Sequence, residues 1–327
     1  MPGSPWLPTA PCTPRHCART PGPATVPRGR AVARLAAGLG TVLAGLLLAP
    51  LTAPLGRATR ERAARLWCRA VLRAFGVRLR VVGRPGAARG LVVANHVSWL
   101  DVPLVAAVLP GRMLAKSEVR RWPVLGPVAA RGGTLFLERD RLRALPGAVL
   151  ALAEALRGGS RVVVFPEGST WCGRAHGRFR PAAFQAALDA GAAVHPVRLT
   201  YRPAGPAAFV GDDPLTASLW RVAAAGGLTA EVRILSPIPA GRHTDRRSLA
   251  AAAQRAVHPA DADDPVAHGP VHTAADHKRA DADDPAAVHR TAGHTAVASD
   301  SANRPSSSVH QWASSRPAAA SSPRTPS

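Results

Sequence analysis

At 327 residues and 46% hydrophobic composition the chain holds enough apolar side chains for a sizeable core, and its Pro-, Ala- and Ser-rich ends set one central domain apart from its flanks. The formal charge is +22, yet from Gly241 onward ten Lys or Arg face nine Asp, so the basic character belongs to the earlier part. An aromatic content of 4% without a recognised DNA- or RNA-binding motif excludes nucleic acid as an expected partner; four cysteines (Cys12, Cys17, Cys68, Cys172) without a C-x-x-C pair exclude a disulfide framework and point to a reducing compartment.

In chain order, residues 1–30 carry Pro, Gly and Arg without periodicity and read as a disordered leader. Within it Cys12 and Cys17 bracket His16; two thiols and one imidazole are read as incidental, and no metal is expected. The run from Ala31 to Ala49 contains one charge, Arg34, and stops at Pro50. Its length sits at the lower edge of the roughly 17–25 apolar residues that span a bilayer. Ala63, Leu66, Trp67, Ala70, Val71 and Ala74 then recur at three- and four-residue steps beside a stripe of Arg62, Arg65, Arg69 and Arg73. Such a basic amphipathic helix suits an anionic membrane surface, at roughly 1 kcal/mol per nearby basic residue, or packs on a core with a solvated Arg face. With the apolar run before it, residues 31–75 are expected to form a membrane-associating helical segment, either an embedded hairpin or one insertion followed by an interfacial helix.

Beyond it strand and helix alternate. Strands are expected at Leu91–Ala94, Arg112–Ala115, Thr134–Leu137, Arg161–Phe165, Ala193–Leu199 and Glu231–Leu235. Helices are expected at Val102–Val108, Trp122–Ala130, Leu145–Leu156, Pro181–Ala190 and Asp245–Val257. The alternation predicts an α/β domain over 76–257, with a largely parallel central sheet flanked by helices. From 258 to 327 the chain is low-complexity and expected to be disordered: Ala260-Asp-Ala-Asp-Asp-Pro265 recurs as Ala280-Asp-Ala-Asp-Asp-Pro285, without the Gly and distal Glu of a calcium loop.

Two strand ends carry candidate chemistry. The apolar run Leu91–Ala94 ends in Asn95-His96 and meets Asp101 five residues later. Because positions five apart diverge by roughly 140° on a helix of 3.6 residues per turn, a His96–Asp101 contact needs a strand-to-helix turn, with the helix beginning near Ser98 as its N-cap. Asp101 would then hold one imidazole nitrogen and leave the other as a general base. The second end is Phe165-Pro166-Glu167-Gly168-Ser169-Thr170, where Gly168 permits close backbone approach and turn amides with the Ser169 and Thr170 hydroxyls suit an oxyanion. Glu167 either accepts a substrate hydroxyl or ties the turn together. Between the two lie Lys116, a ligand contact or a salt-bridge partner of Glu118, and Arg139, whose guanidinium binds a phosphate bidentately or is one surface cation among many. Ser98 and Cys172 lack the context of a nucleophile: there is no Gly-x-Ser-x-Gly elbow, and nothing in the sequence marks the thiol as activated.

Asn95-His96-x4-Asp101, Gly133-x-x-Phe136-x-x-Arg139, Phe165-Pro166-Glu167-Gly168-Ser169 and Val194-His195-Pro196-Val197, in this order and spacing, resemble the four sequence blocks of the glycerolipid acyltransferases that include 1-acylglycerol-3-phosphate acyltransferase. The resemblance covers roughly residues 60–240. It implies His96 as the base for an acceptor hydroxyl, Asp101 as its orienting partner, and Arg139 with the Glu167-Gly168 turn as the holder of an acceptor phosphate. It further implies acyl-CoA or acyl carrier protein as acyl donor, lysophosphatidic acid or another lysolipid such as a lyso-ornithine lipid as acceptor, no cofactor, and a place on the cytoplasmic face of the cell membrane. Ser169 followed by Thr170 stands where the family usually has Thr, and His195 is read as structural.

Overall fold

The computed structural model of the chain describes residues 10–18, 25–52, 54–86, 89–122, 125–138 and 141–259. The repeats expected in the tail lie outside them. A short helix α1 (Pro14–Cys17) precedes the long α2 (Arg28–Leu48) and α3 (Arg57–Ala74). Then follow β1 (Arg78–Val82), β2 (Gly90–Ala94), α4 (Asp101–Ala106), β3 (Arg112–Lys116), α5 (Leu125–Arg131), β4 (Leu135–Leu137), α6 (Leu145–Arg157) and β5 (Arg161–Val164). The chain closes with α7 (Ala182–Asp189), β6 (Val194–Arg202), α8 (Ala204–Ala207), α9 (Leu215–Ala224), β7 (Thr229–Ile234) and α10 (Arg246–Val257).

The seven strands form one sheet in the order β1-β7-β6-β2-β5-β3-β4. Only β6 and β7 pair antiparallel, so the five strands from β6 to β4 run in one direction. β2 has a parallel neighbour on each side and helices over both faces, which is why its run is apolar throughout and buried at every position. Its side chains alternate between two cores: Val92 and Ala94 pack with α3, α4 and α9, and Leu91 and Val93 with α6, α7 and α10. The ends of β6, β2, β5 and β3 that lead out of the strands therefore share one edge of the sheet, where open α/β sheets bind ligands.

Several expectations shift. The helix expected from near Ser98 begins at Asp101, because the amides of Val97 and Ser98 turn onto the Asp101 carboxylate instead of entering a helical ladder. Ser98 is no N-cap of α4; its hydroxyl accepts from Leu100 N at 3.2 Å inside the turn. Residues 10–18 of the expected disordered leader carry α1 and pack against the loop around Cys172. The helix expected at Trp122–Ala130 forms as α5, Leu125–Arg131, and a 3-10 turn at Ser117–Arg121 precedes it. The core side of α3 is Cys68, Val71 and Leu72, while Leu66, expected on the apolar stripe, is 56% exposed.

α2 and α3 pack side by side as a hairpin. Gly38 and Gly45 lie on one face of α2, where an added Cβ would fall 2.4 Å from the Phe75 ring and 2.1 Å from the Trp67 indole, so only glycine permits this approach. Trp67 Nε1 donates to Thr41 O at 2.8 Å, and Arg34 Nη1 reaches Ala225 O at 2.9 Å, fixing α2 to α3 and to the end of α9. The opposite side of α2 and the turn after it leave Val32, Leu39, Leu43, Leu47, Leu48 and Leu51 between 49% and 69% exposed. The stretch Arg28–Thr52 is long and apolar enough to cross a membrane: its most apolar 18 residues have a mean hydropathy of 1.9, and 11% of them are buried.

Candidate active site

β2 leaves the sheet at Ala94, and the next side chain continues the ladder in its place. Asn95 Nδ2 donates to Leu199 O at 2.9 Å and its Oδ1 accepts from Leu199 N at 2.8 Å, so a side-chain amide copies a peptide unit of β6 and fixes where the turn begins. His96 follows, and its Nδ1 lies 2.8 Å from Asp101 Oδ2, a contact made across the turn between β2 and α4. Asp101 is fully buried. Its Oδ2 also accepts from Val97 N at 2.6 Å and Ser98 N at 2.9 Å, and its Oδ1 accepts from the Tyr201 hydroxyl. With donors on both oxygens, the Asp101 carboxylate acts as the acceptor toward Nδ1–H, the tautomer that leaves the lone pair on Nε2. Burial, reinforced by the Asp101 charge, pushes Tyr201 well above its ordinary range and keeps it a donor.

The imidazole is held from its face as well. The Phe165 ring stacks on it at a centroid distance of 4.3 Å and an angle of 16°. The His96 side chain is 22% exposed, and Nε2 makes no hydrogen bond among the described residues. Its backbone is clamped by the loop after β5: His96 N donates to Glu167 Oε2 at 2.9 Å, and its carbonyl accepts from Trp171 N at 2.7 Å. Of the two roles open to Glu167, the geometry carries the tie. Glu167 is 2% exposed, its Oε1 accepts from Gly177 N at 3.3 Å, and His258 Nε2 lies 3.3 Å from the same oxygen. Burial pushes the Glu167 carboxyl up to about 7, against the opposing pull of the His96 amide. The same burial lowers His258 to about 4, so at neutral pH the imidazole is uncharged.

Gly168 adopts φ +74°, a left-handed conformation that places its N–H on Phe165 O at 3.1 Å and turns the chain. Ser169 and Thr170 are half-buried beside it, and their hydroxyls have no hydrogen-bond partner among the described residues. Lys116 ends β3, two strands from β2, with Nζ 5.7 Å from the centroid of the Trp122 ring. Arg139 lies outside the described residues. Next to the His96–Phe165 stack runs a groove of about 340 Å³, floored by Leu114, Leu137, Val149 and Leu152, bounded by Phe165 and Pro166, and rimmed by Arg141, Arg180 and Arg246. His195 is away from this edge: it pairs with Val92 and its Nε2 meets Arg89 O at 3.3 Å.

Tyr201, Phe165, Asn95 and His258 are the partners that sequence reasoning did not assign. Tyr201 had a signal: it is the chain's single tyrosine and alternates with Val197 and Leu199 on one face of β6.

The Acyltransferase family profile matches residues 78–200. The chain is 39% identical over 206 residues to a lyso-ornithine lipid O-acyltransferase of Pseudomonas aeruginosa, covering 61% of this chain and 78% of that protein. It is 37% identical over 215 residues to a 1-acyl-sn-glycerol-3-phosphate acyltransferase of Neisseria meningitidis, covering 63% and 83%. Among solved structures, the 1-acyl-sn-glycerophosphate acyltransferase PlsC of Thermotoga maritima shares the fold, with a TM-score of 0.55 over 70% of this chain and 94% of that one at 18% identity.

Proposed function

The chain belongs to the acyltransferase family, and on that premise we propose that it moves a fatty acyl chain from acyl-CoA or acyl carrier protein to the free hydroxyl of lysophosphatidic acid, giving phosphatidic acid. The observation that carries this reading is the His96–Asp101 pair, held at the strand edge with Nε2 free. In this mechanism Nε2 takes the proton of the acceptor hydroxyl as its oxygen bonds to the thioester carbonyl carbon. The tetrahedral oxyanion then collapses, the C–S bond breaks, and the leaving thiolate recovers the proton from the imidazolium. Asp101 keeps the ring oriented and stabilises its charged form. A thioester is already activated, so the hydroxyl attacks it directly without an acyl-enzyme.

The apolar groove beside Phe165 suits a fatty acyl chain, and the arginines at its rim suit an anionic headgroup or donor. The half-exposed leucines of α2 suit a bilayer from which a lysolipid enters, with the domain on the cytoplasmic face where both donors occur. The 39% identity to a lyso-ornithine lipid O-acyltransferase favours a second reading in which that lysolipid is the acceptor. The test is an assay of the purified full chain with labelled acyl-CoA or acyl carrier protein and each lysolipid in turn. Phosphatidic acid as product supports the first reading, and transfer to lyso-ornithine lipid alone replaces it with the second. No transfer to any lysolipid overturns both.

A further inference from the structure

The leader and the active-site loop meet at three cysteines that are far apart in sequence. Cys12 precedes α1 and Cys17 ends it, Cys172 follows the Glu167 turn, and their three sulfurs all lie within 4.8 Å of one another. None of the three is joined in a disulfide, and they are 8%, 9% and 4% exposed. Thiolates bound to zinc at about 2.3 Å in a tetrahedron stand about 3.8 Å apart, so little adjustment separates this cluster from a metal site.

We propose that Cys12, Cys17 and Cys172 bind one zinc ion and so staple the leader to the loop that carries the active-site turn. The surroundings fit a metal-bound thiolate cluster. The backbone amides of Arg174 and Ala175 donate to the Cys172 sulfur, and the Arg174 guanidinium donates to Cys17 and Cys172 and, through Nη2, to His16 O at 3.1 Å. Three thiolates on a divalent ion leave one negative charge, which the guanidinium offsets. Ala208 and Val210 close the site with apolar surface, and Trp171 and Ala175 pack against it. A disulfide would join two of the sulfurs and leave the third idle, whereas a soft d10 cation uses all three and keeps a fourth position for water. His16 does not supply that ligand, since the donor atoms gathered within 4.8 Å of one another are the three sulfurs alone. Its place in the fold makes it a staple beside the active-site turn: Cys172 follows Trp171, whose amide holds the His96 carbonyl.

The test is the metal content of the full chain purified without chelator under reducing conditions. The expected result is about one zinc per chain, falling at least about tenfold in Cys12→Ser, Cys17→Ser and Cys172→Ser. Cys68→Ser, at a thiol buried in the core elsewhere, keeps its zinc. Cobalt in place of zinc gives the parent an intense thiolate-to-metal charge-transfer band that the three variants lose. Where a serine variant does not fold, stepwise mercurial titration of the parent releases zinc together with thiol modification. Background zinc and no cobalt band in the reduced parent would overturn the site, as would equal loss in Cys68→Ser or zinc release unrelated to the thiols.

Discussion

Around Asp101, the His96 ring, two backbone amides and the Tyr201 hydroxyl converge on one fully buried carboxylate, whereas along α2 the side chains of Leu39, Leu43, Leu47 and Leu48 stand about half open or more. In the first region nearly every polar group is matched inside the protein, and the atom left over, His96 Nε2, is the one that reacts in the proposed mechanism. In the second the protein covers one side of a helix and leaves the apolar side to its surroundings. In the proposed reading, rigidity serves a proton moved between fixed atoms, and the unfinished burial of α2 awaits a lipid phase that completes the packing.

The sharpest way to break the first region is Asp101→Asn. An amide in place of the carboxylate cannot accept from all four donors, and it lets the imidazole turn or change tautomer. We expect acyl transfer to fall by about 10²–10⁴-fold, measured as kcat on a lysolipid acceptor, with a loss of stability of about 1–3 kcal/mol from the donors left unpaired. A variant with parental kcat would detach Asp101 from the proposed chemistry.

The second region is tested by replacing Leu43, Leu47 and Leu51 together with Ser. Each is half or more exposed, so its loss costs the folded domain little and costs a bilayer contact about 1 kcal/mol or more. Partition onto phospholipid vesicles, followed by sedimentation, should weaken by roughly 10²-fold while the melting temperature stays put. Unchanged partition would show that this face meets something other than lipid.

The loop after β5 that clamps His96 is tested through pH. Burial raises the Glu167 pKa from 4.5 unfolded to about 7 in the fold. A raised carboxyl contributes stability that is complete below pH 4.5 and lost as pH rises through 7. Glu167→Gln lacks that titration, so between those limits it should gain on the parent by about 3 kcal/mol, read from urea unfolding across the pH range. A constant difference would mean that Glu167 titrates normally. His258 acts in the opposite direction: its pKa, lowered to about 4, contributes stability above its ordinary range that is lost as pH falls through 4.

How much of this was legible in the sequence follows from how local each cause is. β2, β5 and α6 were legible because short β-branched runs and a helix stopping at Gly158 announce themselves within a few residues. The His96–Asp101 pair was legible for the same reason, since five residues enclose it. β1 was not. Its Arg78-Leu79-Arg80 start sits at the edge of the sheet with mostly exposed positions, and in a chain this rich in arginine it blends into the preceding basic helix. α9 went unassigned as well. Tyr201 and His258 reach the site from distant parts of the chain, and the cysteines of the leader acquire a third partner only when Cys172 folds beside them. The start of α4 was misplaced because Ser98 has the composition of a cap, while the Asp101 carboxylate takes the amides that would have opened the helix.

The account turns on His96 Nε2 as the base. Its most direct test is label transfer from acyl-CoA to a lysolipid by the full-length parent and by His96→Ala, with thermal unfolding recorded on the same samples. We expect at least about a 10²-fold loss of rate with the unfolding transition within a few degrees of the parent. Equal rates in two folded proteins would contradict it.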